Sequence, residues 1–390
     1  MLKEYIKLTR PFNLALTGIA PVLGALSMNE NNLFSLFVLF IIGCLSHIYG
    51  FVFNDYLDVK IDKKSGELKE RPLVSGAIKR KNALFFAVGS MILSWILALY
   101  FFSSPYNFLM LISILIFADI LATIYNFVSK KTPGMDFFVA SAVFFLIIFG
   151  AATVSLDLTR FAIIVAFIGG TQVLFMNMVN GGLKDIDHDC VAGGKTVAVA
   201  LGVKVENASE FLTEKPKAFP KILRNSQSEF LKCQENRKTV FRNMLEKCQK
   251  HFPSHAIANS SHFQQVGKNI MTTPNTFKAV AYSIALVHLF LVFTPYLFLN
   301  IEYYTWQIIV LILLSAITLY FVTKMLTMKS FIRKNVRKNI GLHVIFMYAI
   351  APVMMMSLNP YIGFLAFVPP LGFLLSNLVL HGGVLKPETM

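Results

Sequence analysis

Charge is scarce in this 390-residue sequence: 15% of residues are charged against 55% hydrophobic, and the mean hydropathy is +0.61. A soluble domain of this length needs far more charge to coat its surface. Several apolar runs also exceed the roughly 18 residues that read as a membrane span. Ten-residue segments of alternating hydrophobicity are absent, which excludes a β-barrel. Cysteine is scarce too, with four at 44, 190, 233 and 248 and no CxxC. That excludes a disulfide framework and a classical zinc motif, and a reducing face is the expectation. No small-residue cleavage site follows the first apolar run, so the first helix is expected to be retained rather than removed as a signal peptide. Acidic residues number 21 against 36 basic ones, a net charge of +15. In a soluble protein that balance would suggest nucleic acid; here the lysines sit in loops and fix orientation, so no nucleic-acid partner is expected.

Apolar runs fall at 11–28, 33–54, 82–102, 106–128, 134–154, 160–182, 277–299 and 304–325, with a last stretch at 342–381 broken at LNPY. The fold class is therefore all-α: a polytopic transmembrane bundle of nine or ten helices around a central apolar cavity. Alternate loops divide sharply by charge. One set holds Lys3, Lys7, Arg10, Lys60 to Lys81, Lys130, Lys131, Lys184 to Lys268, Lys324 to Lys338 and Lys386; the other (MNENN, SSPYN, LDLTR, NIEYY, LNPY) holds a single basic residue, Arg160. Positive charge marks the cytoplasmic side. This predicts an integral protein of the cell membrane with its N-terminus and long loops in the cytoplasm, and ten crossings satisfy the pattern. Residues 1–203 carry the first six helices and 277–390 complete the same bundle. Residues 204–276 are polar and mixed in charge, with Val240, Phe241, Met244, Leu245 and Cys248 at helical spacing. They read as a small helical cytosolic insertion. Its Cys233, Cys248, His251, His255 and His262 match no standard zinc spacing.

The chemistry starts at FNDYLDVKIDKKSGELKERPLVSG, Phe53 to Gly76. At about 100° per residue, Asn54, Asp55, Asp58 and Asp62 fall within one arc of about 100°. They lie where an apolar helix reaches the interface. Three carboxylates so close resist ionising together, and a divalent cation removes the conflict. All-oxygen ligands favour Mg2+, which takes few carboxylates and shares its other positions with phosphate oxygens and water. A solvated acidic helix end would scatter its acids, and would leave the basic tail of Lys63, Lys64, Lys69, Arg71, Lys79 and Arg80 unexplained. A second acidic patch, NMVNGGLKDIDHDCVAGGKTVAVALG, follows the sixth run. Asp185 and Asp189 are i,i+4 on a helix that Gly193 and Gly194 end, with Lys184 adjacent. Asn177, Asn180 and Lys184 share a neighbouring face, and Asp187 projects elsewhere as a solvated residue. Both patches fall on the same side of the membrane. Together they can hold metal on both sides of one diphosphate, neutralising a departing pyrophosphate. A diphosphate with a long apolar tail is a prenyl diphosphate. Its ionisation gives C1 allylic cation character, and a nucleophile on a second substrate attacks that carbon.

At these residues the sequence resembles the UbiA superfamily of intramembrane prenyltransferases. NDYLDVKID fits that family's NDxxDxxxD motif and RPLVSG follows at the usual distance; DIDHD, Asp185 to Asp189, fits its DxxxD motif, followed by GKTVAVALG; TRPFNL before the first helix is also family-like. The likeness covers 1–203 and 277–390. It implies a helical bundle, usually of nine helices, with Mg2+ bridging the two motifs to the diphosphate. Asp55, Asp58, Asp62, Asp185 and Asp189 would be the catalytic metal ligands, Asn54 would share the metal and diphosphate roles, and Lys184 and Arg71 would contact phosphate. The family's YxxxK pattern finds Ser129 where lysine is expected, and Lys130 or Lys131 can take that contact. The insertion and one more C-terminal span depart from the family.

His47 lies on the face of Asn54 two turns deeper, where it can line an acceptor pocket; Asp119, inside the fourth run, is either functional or a polar helix–helix contact. His288, His343 and His381 near span ends are expected at the interface. The expected partners are a prenyl diphosphate donor, an aromatic or lipid-alcohol acceptor, and membrane lipid. The acceptor stays open, because the nine-residue interval from Asp62 to Arg71 points to aromatic acceptors while NDYLDVKIDKK points to archaeal ether-lipid members. The alternative function is an ion-coupled transporter using the aspartates as cation or proton sites. Transporters, however, place such groups near the bilayer midplane on broken helices, and here they lie at helix ends.

Overall fold

The computed structural model describes residues 2–63, 71–207 and 269–381. A short helix α1 (Leu2–Leu8) precedes α2 (Pro11–Leu26), α3 (Leu33–Asp62), α4 (Arg80–Phe102), α5 (Phe108–Val128), α6 (Asp136–Ala152) and α7 (Arg160–Phe175). A π-helical turn, Met176–Gly181, joins α7 to α8 (Gly182–Lys184), and α9 (Ile186–Ala192) and α10 (Val197–Ala200) follow. After strands β1 (Lys204–Asn207) and β2 (Asn269–Thr272) come α11 (Asn275–Phe298), α12 (Thr305–Leu326), β3 (Ser330–Phe331) and α13 (Arg333–Met355). A 3-10 helix, Pro360–Phe367, then runs into α14 (Val368–His381).

Seven of the described helices are long and apolar enough to cross a membrane, and three shorter ones are apolar as well. This is an integral membrane protein. Its lipid-facing surface is rich in exposed Phe, Leu and Ile, such as Phe85, Leu109 and Ile312, because lipid replaces the protein core as their solvent. The break at LNPY separates α13 from the 3-10 segment, where Pro360 sits at the start and the Asn359 side chain accepts from the Tyr361 N–H. The last apolar stretch is thus two helical segments.

Two compact units divide the chain: Met1–Lys204 with Thr273–Met328 and Arg333–Met390, and Val205–Thr272 with Lys329–Ile332. In the first, helices α2 and α6 approach backbone to backbone. A Cβ on Gly24 would stand 1.9 Å from the Ile147 carbonyl oxygen, and one on Gly150 would stand 1.9 Å from that of Pro21. Small residues let membrane helices approach this closely, and van der Waals contact then holds them. The main buried cluster, including Ile19, Leu23, Leu39, Leu115 and Phe149, lies around this crossing. The strands form one sheet in the order β1-β2-β3, with Asn269 opposite Phe331 and Ile270 opposite Ser330 in the antiparallel β2/β3 pair. The described ends of the insertion are strands. The stretch from Val240 to Cys248, whose spacing predicts a helix, and its cysteines and histidines lie outside the described residues.

Candidate active site

Helices α2, α3, α5, α6, α13 and the α7–α8 segment surround a cavity of about 520 Å³. At one end its wall is polar, with Asn54, Asp58, Asp62, Arg71, Lys130, Lys184, Asp185 and Asp189. Further in, Leu16, Ala118, Val143, Leu146 and Val344 form an apolar sleeve. The two acidic motifs therefore open onto one space.

The first motif rides on α3, a helix of 30 residues and so about 45 Å long, which outlasts a hydrocarbon core of about 30 Å. Its excess length carries the carboxylates to the interface. The helix is unbroken, so the face deduced from spacing holds: Asn54, Asp58 and Asp62 line the cavity. Asp55, at the edge of that arc, does not. It is buried, its Oδ1 accepts from Arg10 Nη2 at 2.6 Å, and Arg71 Nη1 lies 3.6 Å from the same oxygen.

The crowded carboxylates are reconciled by cations of the chain itself. Arg71 donates to Asp62 Oδ2 at 2.6 Å, and Lys130 Nζ lies 2.8 Å from Asp58 Oδ2. Burial still pushes the Asp62 carboxyl above the usual range, against the pull of Arg71 and Lys130. Burial would lower Lys130, but Asp58, Asp62 and Asp189 together outweigh it and the ammonium is held above its ordinary value. Of the two lysines that follow Ser129, Lys130 lines the cavity, whereas Lys131 is exposed and outside its wall. Of the basic tail, Arg71 returns to the motif; Arg80 donates to the Tyr56 carbonyl at 3.0 Å and lies over the Tyr56 ring. Lys64 and Lys69 lie outside the described residues.

The second motif differs from the expected continuous helix. The π turn over Met176–Gly181 re-aims Asn177 and Asn180, and Asp185 (φ −107°) sits at a break between α8 and α9. The hydrogen bond from the Asp189 N–H to the Asp185 carbonyl, 2.9 Å, nevertheless preserves their i,i+4 relation. Gly193, with φ 70°, ends α9 in the left-handed conformation a C-terminal glycine supplies. Desolvation pushes Asp185 up, but Lys184, Arg333, Arg71 and Lys130 together hold it below the usual carboxylate range. Asp187 is not simply solvated: Arg333 binds its Oδ1.

Two of the three histidines near span ends, His288 and His343, are likewise inside the bundle. His288 is 2% exposed and shares a hydrogen bond with Thr171, and His343 is 0% exposed and pairs with Asn180 Nδ2 at 3.2 Å. Asn180 lines the cavity. So does His47, with both ring nitrogens engaged, Nδ1 with Thr17 Oγ1 at 2.9 Å and Nε2 with the Thr9 carbonyl at 3.1 Å. It shapes the wall rather than offering a free base. Asp119 makes the polar helix–helix contact the sequence allowed, taking a hydrogen bond from Trp95 Nε1 at 2.8 Å, and also lines the cavity.

Sequence reasoning gave no role to Arg10, Tyr125, Asn126 or Asp136, all in the cavity wall. For Arg10 a signal existed in the following Pro11, which disfavours the right-handed helical conformation for the residue before it. Arg10 adopts φ 48°, ψ 72°, a conformation that costs a non-glycine residue on the order of 1 kcal/mol. Aromatic rings in the wall narrow to Phe12, Phe51, Tyr125 and Tyr348 among the described residues.

An apolar sleeve ending in oxygen ligands and cations suits an amphiphilic anion, and comparison with known proteins agrees. The UbiA prenyltransferase family matches residues 16–212. The chain belongs to the UbiA prenyltransferase family. Digeranylgeranylglyceryl phosphate synthase of Thermococcus kodakarensis is 31% identical over 206 residues, covering 52% of this chain and 70% of that protein. The 4-hydroxybenzoate octaprenyltransferase of a Marinomonas species is 38% identical over 105 residues, 25% of this chain and 37% of that protein. A solved UbiA homolog from Archaeoglobus fulgidus bound to GPP and Mg2+ superposes with a TM-score of 0.52 at 14% identity, covering 89% of this chain and 99% of that one. That structural likeness concerns the fold. Family membership places this UbiA chain among enzymes that transfer prenyl groups and not among ion-coupled carriers.

Proposed function

We propose that this UbiA enzyme transfers a polyprenyl group such as geranylgeranyl from its diphosphate to a lipid-alcohol acceptor, with Mg2+ at the two acidic motifs. The observation that carries the reading is the meeting of Asn54, Asp58, Asp62, Asp185 and Asp189 with four cations at the polar end of one apolar cavity. The donor set fits Mg2+. Among the described residues no three His, Cys, Asp or Glu side chains already converge as a cage. Mg2+ needs none, since it takes one or two carboxylates and completes its shell with phosphate oxygens and water. Asn54, Asp58, Asp62, Asp185 and Asp189 would hold it. When bound it would neutralise charge on the departing pyrophosphate.

The chain's own groups do the rest. Arg71, Lys130 and Lys184 meet phosphate oxygens, and the apolar sleeve orients the tail and excludes water from C1. The acceptor hydroxyl attacks that carbon as its bond to the diphosphate oxygen breaks, and the hydroxyl proton passes to the released pyrophosphate or to water. The lipid-alcohol acceptor is favoured over an aromatic one because the ether-lipid relative is matched along more of its length than the hydroxybenzoate relative. The basic loops argue for the motifs and the N-terminus on the cytoplasmic side.

The test uses purified protein, radiolabelled geranylgeranyl diphosphate and Mg2+, with geranylgeranylglyceryl phosphate and 4-hydroxybenzoate as rival acceptors. A prenylated lipid alcohol, lost in Asp58→Ala and Asp185→Ala, is the expected result. Product from hydroxybenzoate alone would reverse the acceptor assignment, and full activity in both variants would overturn the site.

A further inference from the structure

Asp55 is the second residue of the first acidic motif, yet it is not part of the cavity wall that Asn54, Asp58 and Asp62 line. Only 6% of the residue is exposed. Its Oδ1 holds Arg10 Nη2 at 2.6 Å and has Arg71 Nη1 at 3.6 Å, and both arginines line the cavity. Arg10 is held from two further directions. Its guanidinium carbon lies 5.2 Å from the centre of the Phe51 ring, and its backbone sits in the left-handed region at φ 48°. A non-glycine residue keeps such a conformation only where its surroundings over-determine it. A flexible surface arginine would have none of these restraints.

We infer that Asp55 is a positioning residue rather than a metal ligand, and that Arg10 is a second guanidinium contact for the donor's diphosphate, beside Arg71. The inference rests on the prenyltransferase reading and assigns work within that site. Arginine suits it because its planar fork can bind two phosphate oxygens at once, and anchoring the fork in advance reduces the ordering cost of binding. Asp55 supplies the anchor. It is reached from the start of α2 and from the segment after α3, so one carboxylate holds two chain segments in register. Asp62 takes the same Arg71 nitrogen, Nη1, at 2.6 Å. When Asp62 turns to metal, Asp55 remains to keep Arg71 aimed at phosphate.

The experiment measures binding of inorganic pyrophosphate at saturating Mg2+ by titration calorimetry, and separately the Mg2+ half-saturation of prenyl transfer. Asp55→Asn and Arg10→Ala should each weaken pyrophosphate binding by about 10- to 100-fold, the span that one hydrogen bond to a charged group is worth. Their Mg2+ half-saturation should stay near wild type, while that of Asp58→Asn should rise. In an Arg10→Ala background, Asp55→Asn should cost less than it does alone. Arg10→Lys keeps the charge and stem and should bind at an intermediate level, which covers the case of a poorly folded alanine variant. Unchanged pyrophosphate affinity in both Arg10 variants, or a raised Mg2+ half-saturation in Asp55→Asn, would overturn the assignment. A wild-type chain that binds no pyrophosphate would instead overturn the prenyltransferase reading on which it rests.

Discussion

Lys130 Nζ stands 2.8 Å from Asp58 Oδ2, joining the segment after α5 to the cavity-facing side of α3. Helix α5 ends at Val128 with Ser129 as its cap, so the next residue turns back over the cavity and Lys131 points out. This separates two adjacent lysines that composition cannot tell apart. Lys130→Ala should weaken donor binding by about 10- to 100-fold, the loss of one charge-assisted contact, whereas Lys131→Ala should leave it within about twofold. Titration of the two variants with a non-reactive prenyl thiolodiphosphate checks the difference, and equal losses would refute the assignment of Lys130.

The same ion pair predicts how metal and donor depend on each other. Asp58 and Asp62 are each held by a cation of the chain, so a free divalent ion must displace Lys130 or Arg71 to reach them. A diphosphate draws those cations to itself and frees the carboxylates. Metal and donor should therefore bind with positive coupling, of at least about tenfold. With Mn2+ as a paramagnetic stand-in, the ligand-free wild type should show little bound ion. Lys130→Gln, which leaves Asp58 unpaired, should bind more. Equal Mn2+ binding in the two proteins would show that the ion pairs do not gate the metal.

The first motif's face was legible because α3 is one unbroken helix, and a regular period carries direction. What lay beyond periodicity was not legible. The partner that holds Asp55, Arg10, is 45 residues distant in sequence. Spacing says which way a side chain points but not what waits there. The second motif departs from its expected geometry because the π turn inserts an irregularity that an assumption of 3.6 residues per turn cannot contain. Asp187 and His343 were read by their neighbours in sequence; Arg333 and Asn180, far along the chain, decide their surroundings.

The α2–α6 crossing should tolerate no added carbon. Gly24→Ala and Gly150→Ala each place a Cβ 1.9 Å from a backbone carbonyl oxygen, which no rotamer can relieve, so the helices must separate. Because α2 carries Phe12, Leu16 and Thr17 of the cavity wall and α6 carries Val143 and Leu146, that separation deforms the apolar sleeve. Overpacking of this kind costs about 1–3 kcal/mol or more. Thermal unfolding in detergent should show both variants destabilised, while Gly89→Ala, where a Cβ meets nothing within 4 Å, should melt as the wild type does.

Cys190 offers a direct reading of which membrane face carries the second motif. It is exposed and lies beside Asp189, whereas Cys44 is partly covered within α3. In a background with Cys233→Ser and Cys248→Ser, a membrane-impermeant maleimide should label Cys190 in inside-out vesicles and not in right-side-out ones. The reaction will be slow near neutrality. Burial, Asp189 and Asp187 all raise the Cys190 thiol above its ordinary value of 9.0, and only the thiolate attacks. Raising the pH toward that value should accelerate labelling, and Asp187→Asn, which removes one of the neighbouring charges, should accelerate it at fixed pH. Labelling of right-side-out vesicles instead would invert the topology. The acidic motifs would then face the exterior, opposite to the side on which the basic loops predict them.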